Sequence, residues 1–213
     1  MLTDAIFLIG AGGHGKVVLE ALLQNEVPID RIAISDNDIA LRDKKLLGAS
    51  ISTPAMPANA AAGAFHVAIG NGTIRQRLHG ELIAAGSRPL TTVHPGALVS
   101  RFASIGAGSF IAARAIVGPD AAIGEGVIIN HGAVVDHDCQ VGAFSHIAPN
   151  ATLAGAVRVG ARVLVGAGAN VLPNLKIGDD AVIGAGAVVL RDIAAGEMYV
   201  GVPAAPISRS KSD

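Results

Sequence analysis

Tryptophan is absent from this 213-residue chain, tyrosine occurs once, and aromatic residues make up only 3%. A core without large rings has to be filled by many small branched side chains, which suits a narrow interior better than a wide sandwich. Cys139 is the single cysteine, so no intrachain disulfide can form and a reducing compartment is expected. The formal net charge is −1, which gives no electrostatic reason to expect nucleic acid or a membrane surface as partner. No apolar run is long enough to span a bilayer, and no secretory leader precedes Met1-Leu2-Thr3. A soluble, cytoplasmic protein is the expectation.

What the chain does have is a period of six. From Val93 to Val189 every sixth residue is Val, Ile or Leu, seventeen times without a break. The residue four places further on is also small or apolar, running from Ala97 through Cys139 to Ile193. Two inward positions in six match neither a 3.6-residue helix nor an alternating strand. They match a three-sided prism in which each hexad is one flat side. Three sides make a coil, and coils stack at about the 4.8 Å strand spacing. The span from Thr92 to Ile193 then gives between five and six coils. Cys139 sits on an inward position and reads as core filling.

Residues 1–91 follow a different rule and alternate strands with helices. Ala5–Ile9 reads as a strand, followed by Gly10-Ala11-Gly12-Gly13-His14-Gly15 and a helix to Asn25. Arg31–Ser35 is a second strand that ends at Asp36, and Ser50–Gly63 reads as a Pro- and Ala-rich loop. Phe65–Ile69 is a third strand, followed by Gly70-Asn71-Gly72 and a helix over 74–85 with Arg75, Arg77 and Glu81 on its wet face. Leu90–Val93 leads into the prism. The fold expectation is a small Rossmann-like parallel α/β domain at 1–91 and a parallel β-helix at 92–213, ligands of the first meeting the carboxyl ends of its strands.

Two local patterns carry chemistry. Gly10, Gly12 and Gly15, between a strand and a helix, form a phosphate-cradling loop. Alone they suggest a dinucleotide with Asp36 as the ribose acid, but the domain has room for only one nucleotide-binding half. Asp136-His137-Asp138 occupies outward positions near a corner of the prism. A neutral imidazole works as a base near pH 7, and a neighbouring carboxylate orients it; an exposed surface histidine between two acids is the plainer alternative.

Taken together, GAGGHGKVV at 10–18, AIGNGTIRQRL at 68–78, VDHDCQVGAFSHIAPNATLAG at 135–155, VLPNLKIGDDAVIGAGAVV at 171–189 and YVGVPA at 199–204 resemble a family. It is that of the bacterial sugar O- and N-acetyltransferases of the sialic-acid and bacillosamine (NeuD/PglD-like) type, left-handed β-helix acyltransferases. Left-handedness comes from this resemblance alone, since ordinary strand crossovers are right-handed. It implies His137 as catalytic base with Asp138 as its partner, Asp136 remaining open as the orienting acid. It also implies acetyl-CoA as co-substrate, no metal, and His146, Gly155 and Ala167 as cofactor contacts. Gly12, His14, Gly15, Asp36, Gly70, Asn71 and Asn130 would bind the sugar nucleotide. A homotrimer with the cofactor groove between neighbouring helices is implied as well, and a prism with flat apolar-edged sides favours self-association.

The activity this implies is N-acetylation of a nucleotide-linked 4-amino-deoxy sugar. The nearest rival is O-acetylation of a sialic-acid-like sugar. A zinc hydratase on the same prism would need three converging histidines, for which His131, His137 and His146 are the candidates. A non-catalytic scaffold is a third class. The family tail usually carries a Lys or Arg soon after the VPA segment. Here Ala205-Pro206 follows instead, with Arg209 and Lys211 later. His66, His79 and His94 read as structural.

Overall fold

The computed structural model describes residues 5–54 and 63–207. A six-stranded sheet opens the chain: β1 (Ile6–Ile9), β2 (Ile32–Ser35), β3 (Lys45–Leu46), β4 (Ala49–Ser52), β5 (Ala64–Val67) and β6 (Arg88–Pro89). Its order is β3-β4-β2-β1-β5-β6, and only the β3–β4 pair is antiparallel. That short hairpin lies partly in the stretch read as loop; residues 55–62 of the stretch lie outside the described residues. Helices α1 (Gly13–Gln24) and α2 (Gly72–Ala84) follow β1 and β5. Both start earlier than the apolar spacing predicts, because the glycines themselves supply the first turn.

Two glycines in this loop are required by close approach. At Gly10, with φ +107°, a Cβ would lie 2.8 Å from the Ala68 carbonyl oxygen, and at Gly15 it would lie 2.2 Å from that of Gly10. Nothing larger lets the helix start so tightly against the strand.

Seventeen two-residue strands follow, from β7 (Thr92–Val93) to β23 (Val188–Val189), one per hexad. They stack in three parallel faces. Face I holds Thr92, Phe110, Ile128, His146, Leu164 and Val182 as its outward residues. Face II holds Leu98, Ile116, Val134, Thr152, Asn170 and Val188. Face III holds Ser104, Ala122, Gln140, Arg158 and Lys176. The register is 18 residues throughout, as in the pairing of Phe110 with Ile128. Five full coils form, and a sixth closes on a single bridge between Ile177 and Ile193. A last pair, β24 (Met198–Val200) and β25 (Ala205–Ile207), returns to face I and folds back antiparallel.

The inward residues form one continuous core from Ile111 to Ile193, Cys139 among them with its side chain fully buried. At each turn from 108 to 186 the fourth residue of the hexad takes a positive φ, between 56° and 70°. Asp, Asn and Gly fill most of these corners, the residue types that tolerate that region best. The N-terminal domain rests on face I: Phe110 and Ile128 pack into the core of its sheet and α1.

Candidate active site

His137 stands on the edge between faces II and III, its side chain 56% exposed. Asp138 is the left-handed corner residue there, with φ 59°. From that corner its Oδ2 lies 2.7 Å from His137 Nδ1, while Asp136 Oδ1 accepts the His137 backbone N–H at 2.7 Å. Each acid therefore has its own task. Asp138 orients the ring and Asp136 fixes the backbone, a division the sequence left open. The Asp138 hydrogen bond, helped by the charge of Asp136, raises the imidazole pKa above the ordinary 6.5. With Nδ1–H given to Asp138, Nε2 carries the free lone pair.

That nitrogen packs against a glycine. A Cβ on Gly155, one coil further along, would lie 2.5 Å from both Cε1 and Nε2 of His137. On the other side a Cβ on Gly118 would lie 2.8 Å from the His137 backbone nitrogen. The imidazole thus lies over Gly155, Gly118 lets the His137 backbone pass close, and the ring stays exposed along the edge.

The glycine-rich loop sits on the other side of the prism. Asp36, at the end of β2, accepts Ala11 N–H at 2.7 Å and Asp38 N–H at 2.9 Å, so its carboxylate shapes the loop. The first bond within α1 runs from Lys16 N–H to the Gly12 carbonyl. The amides at 13–15 thus form the helix N-terminus, an anion-attracting end. The His14 ring turns inward, edge-on to Phe110 with centroids 5.4 Å apart, and its Nε2 is buried without a partner. Burial first, then the neighbouring His66, His146 and Arg75, lower its pKa to about 3. His14 is neutral and offers a ligand its backbone.

His146 is on face I with both ring nitrogens engaged inside the chain. Nε2 is 3.1 Å from Asn130 Nδ2, and the ring also hydrogen-bonds the Gly70 backbone. Burial lowers its pKa to about 4. Asn71 caps α2, its Oδ1 accepting Ile74 N–H at 3.0 Å, which leaves its amide nitrogen free to donate. Ala167 lies on the edge between faces I and II. The structure therefore brings Asn130, His131, His146, His14 and Gly70 together, and places His137, Asp138 and Gly155 on a different edge. His131, His137 and His146 do not converge.

One prediction is corrected. Arg75 is not on a wet face: it is 1% exposed, donating to carbonyls of both domains. The remaining histidines have structural settings. His66 Nδ1 bonds the Leu90 carbonyl at 2.9 Å, His79 lies edge-on to Phe65 and Phe144, and His94 accepts Gly96 N–H. Arg209 and Lys211 of the tail lie outside the described residues.

Residues 5–82 match the family model described as the PglD N-terminal domain. Residues 102–137, 120–155 and 156–191 match that of the bacterial transferase hexapeptide, six repeats. The acetyltransferase domain of PglB from Neisseria gonorrhoeae FA1090 has a TM-score of 0.88 at 34% identity, over 96% of this chain and 100% of that one. A histidine-to-asparagine mutant of perosamine N-acetyltransferase from Caulobacter crescentus, in complex with CoA and GDP-perosamine, has a TM-score of 0.88 at 36% identity, over 96% and 97%. WeeI from Acinetobacter baumannii AYE has a TM-score of 0.87 at 27% identity, over 96% and 100%. No curated protein sequence matches the chain. Among the described residues, no helix is long and apolar enough to cross a membrane. By identity and coverage this chain is an acyltransferase and belongs to the bacterial sugar acetyltransferases that join a PglD-type N-terminal domain to a left-handed β-helix of hexapeptide repeats.

Proposed function

We propose that the protein transfers the acetyl group of acetyl-CoA to the amino group of a nucleotide-linked 4-amino-deoxy sugar, with His137 as general base. The observation that carries this is the exposed imidazole of His137, held by Asp138 through Nδ1 and packed over Gly155 with Nε2 free. A linear pantetheine arm running along this edge passes the exposed face of that ring. As the sugar nitrogen bonds to the thioester carbonyl carbon, His137 Nε2 takes its proton. Collapse of the tetrahedral adduct breaks the C–S bond, and the proton passes to the departing thiolate. The complexes of the Caulobacter relative with CoA and GDP-perosamine support both substrate classes.

The α1 N-terminus with Gly12, His14 and Gly15 holds the diphosphate in this reading. Asp36, Gly70 and Asn71 bound the nucleoside, and Asn130 meets the hexose. These groups and the base lie on different edges of one prism, so a second copy has to complete the site. Set against face II, it brings its own Asn130–His146 edge and Ala167 to the His137 edge. Leu98 at 66% and Ile116 at 39% exposure give that face an apolar surface to cover. A homotrimer with the groove shared between neighbours satisfies this geometry, in the cytoplasm where acetyl-CoA is made available.

The test is thiol release from acetyl-CoA with GDP-, UDP- and dTDP-linked amino sugars. Turnover is expected with an amine acceptor; product formed only from hydroxyl sugars would establish O-acetylation instead. The pH profile tests the base. Because the His137 pKa is raised, kcat/KM should fall as pH drops through a value above 6.5. Asp138→Asn keeps a side chain that tolerates the left-handed corner while removing the charge. That acidic limb should move to lower pH and the plateau rate drop about tenfold or more. An unmoved limb would remove Asp138 from the mechanism.

A further inference from the structure

A guanidinium has five N–H donors in a fixed plane and no acceptor. Arg75, in the first turn of α2, uses all of them on backbone carbonyls. Nε donates to Gly126 O at 2.7 Å. Nη1 donates to Ile69 O at 2.6 Å and Gly70 O at 3.0 Å. Nη2 donates to Phe144 O and, at 3.2 Å, to Ser145 O. Two of these carbonyls belong to the loop between β5 and α2. The other three belong to successive corners of the β-helix between faces III and I.

We propose that Arg75 is a positioning residue that clamps the Gly70–Asn71 loop of the sugar-nucleotide site onto the catalytic β-helix. This rests on the sugar-nucleotide reading given above. The Gly70 backbone receives Arg75 and also hydrogen-bonds His146, the next coil residue along face I, which in turn meets Asn130. Gly72 supports the same junction, since a Cβ there would lie 2.6 Å from the Phe144 carbonyl oxygen. One side chain thus ties the loop directly to the prism, in addition to the chain connection at 90–92, which is itself hydrogen-bonded to both domains. A nucleotide bound to one domain is thereby held at a set distance from the base on the other.

None of the five partners is a carboxylate, so the charge is spread over carbonyl dipoles and stays uncompensated. Burial lowers the Arg75 pKa to about 10, which leaves it ionised at neutral pH. Its positive charge adds to the burial that lowers the pKa of His146 and His14. The junction keeps its imidazoles neutral and presents a positive potential beside the proposed diphosphate site. Lysine cannot replace this arrangement: it has three donors and no plane.

Arg75→Lys is the first test, with steady-state kinetics and amide hydrogen exchange on the substrate-free protein. The KM for the sugar nucleotide should rise at least tenfold. The KM for acetyl-CoA should stay within twofold, and the acidic limb set by His137 should not move. Exchange at residues 69–72 should accelerate without substrate. Both KM values within twofold, with unchanged exchange at 69–72, would overturn the proposal; so would a uniform rise in both KM values, the mark of general loosening. Should the lysine variant not fold, Arg75→Ala is assayed with millimolar guanidinium, and with ammonium as control. Recovery of the sugar KM by guanidinium alone supports the clamp, and equal or no recovery overturns it. Failure of the native enzyme with every sugar nucleotide sinks the functional reading, while the exchange data still decide whether Arg75 fixes the loop.

Discussion

His137→Ala removes turnover almost completely while leaving the prism and its assembly intact. The imidazole lies outside the core, over Gly155, and contributes nothing to the continuous row of inward Val, Ile and Leu. Losing it leaves no cavity, so thermal unfolding and oligomeric mass should match the native protein. The rate loss expected for a positioned base is about 10²- to 10⁴-fold, read as kcat with both substrates saturating. Neither KM should rise comparably, because the ring takes a proton and does not anchor either substrate. A variant retaining more than a tenth of the native rate would remove His137 from the chemistry. Assembly adds a second readout. The base and the sugar loop lie on different edges of one chain, so His137→Ala chains mixed with chains impaired at the glycine-rich loop should recover part of the native rate. Chains with both changes should recover none. Absence of recovery would place the whole site within one subunit.

Much of this was legible before any coordinates. The hexads gave the prism, its 18-residue register and the inward place of Cys139, because a period is a global property that does not depend on partners. The stacking of Gly155 over His137 follows from the same count. Other features depend on what a residue meets in three dimensions. Arg75 looks like a surface arginine on a polar helix, since no local pattern announces five carbonyls waiting on another domain. His146 carries no local sign that its ring nitrogens would be taken by Asn130 and Gly70. The choice between Asp136 and Asp138 turned on a corner conformation. Here a signal was present and unused: Asp, Asn and Gly recur at the fourth hexad position, where the backbone turns left-handed. An acid at that place is aimed back along the edge, and one two residues earlier is not.

Gly155→Ala should cost activity without costing stability. Gly155 does not sit at a left-handed corner, so the substitution strains no backbone. Its new methyl meets only the far end of the His137 ring, at 2.5 Å from Cε1 and Nε2. That ring is exposed and free to swing outward, so the fold accommodates the methyl at little expense. The cost falls on alignment: a ring that swings away lengthens the 2.7 Å bond from Nδ1 to Asp138 and turns Nε2 from the groove. A displacement of about 1 Å from a productive geometry can lower a rate about a hundredfold. The expected result is a kcat reduced roughly ten- to a hundredfold and a KM for acetyl-CoA that rises as the displaced ring intrudes on the edge the cofactor follows. The unfolding temperature should be unchanged, and the acidic limb should move toward the unassisted histidine value as Asp138 loses its hold. Larger side chains should extend the series, with Gly155→Val displacing the ring altogether and matching His137→Ala in rate. A native-like rate in Gly155→Ala would mean that neither the base nor the pantetheine uses this face of the edge, and the assignment of the groove would fall with it.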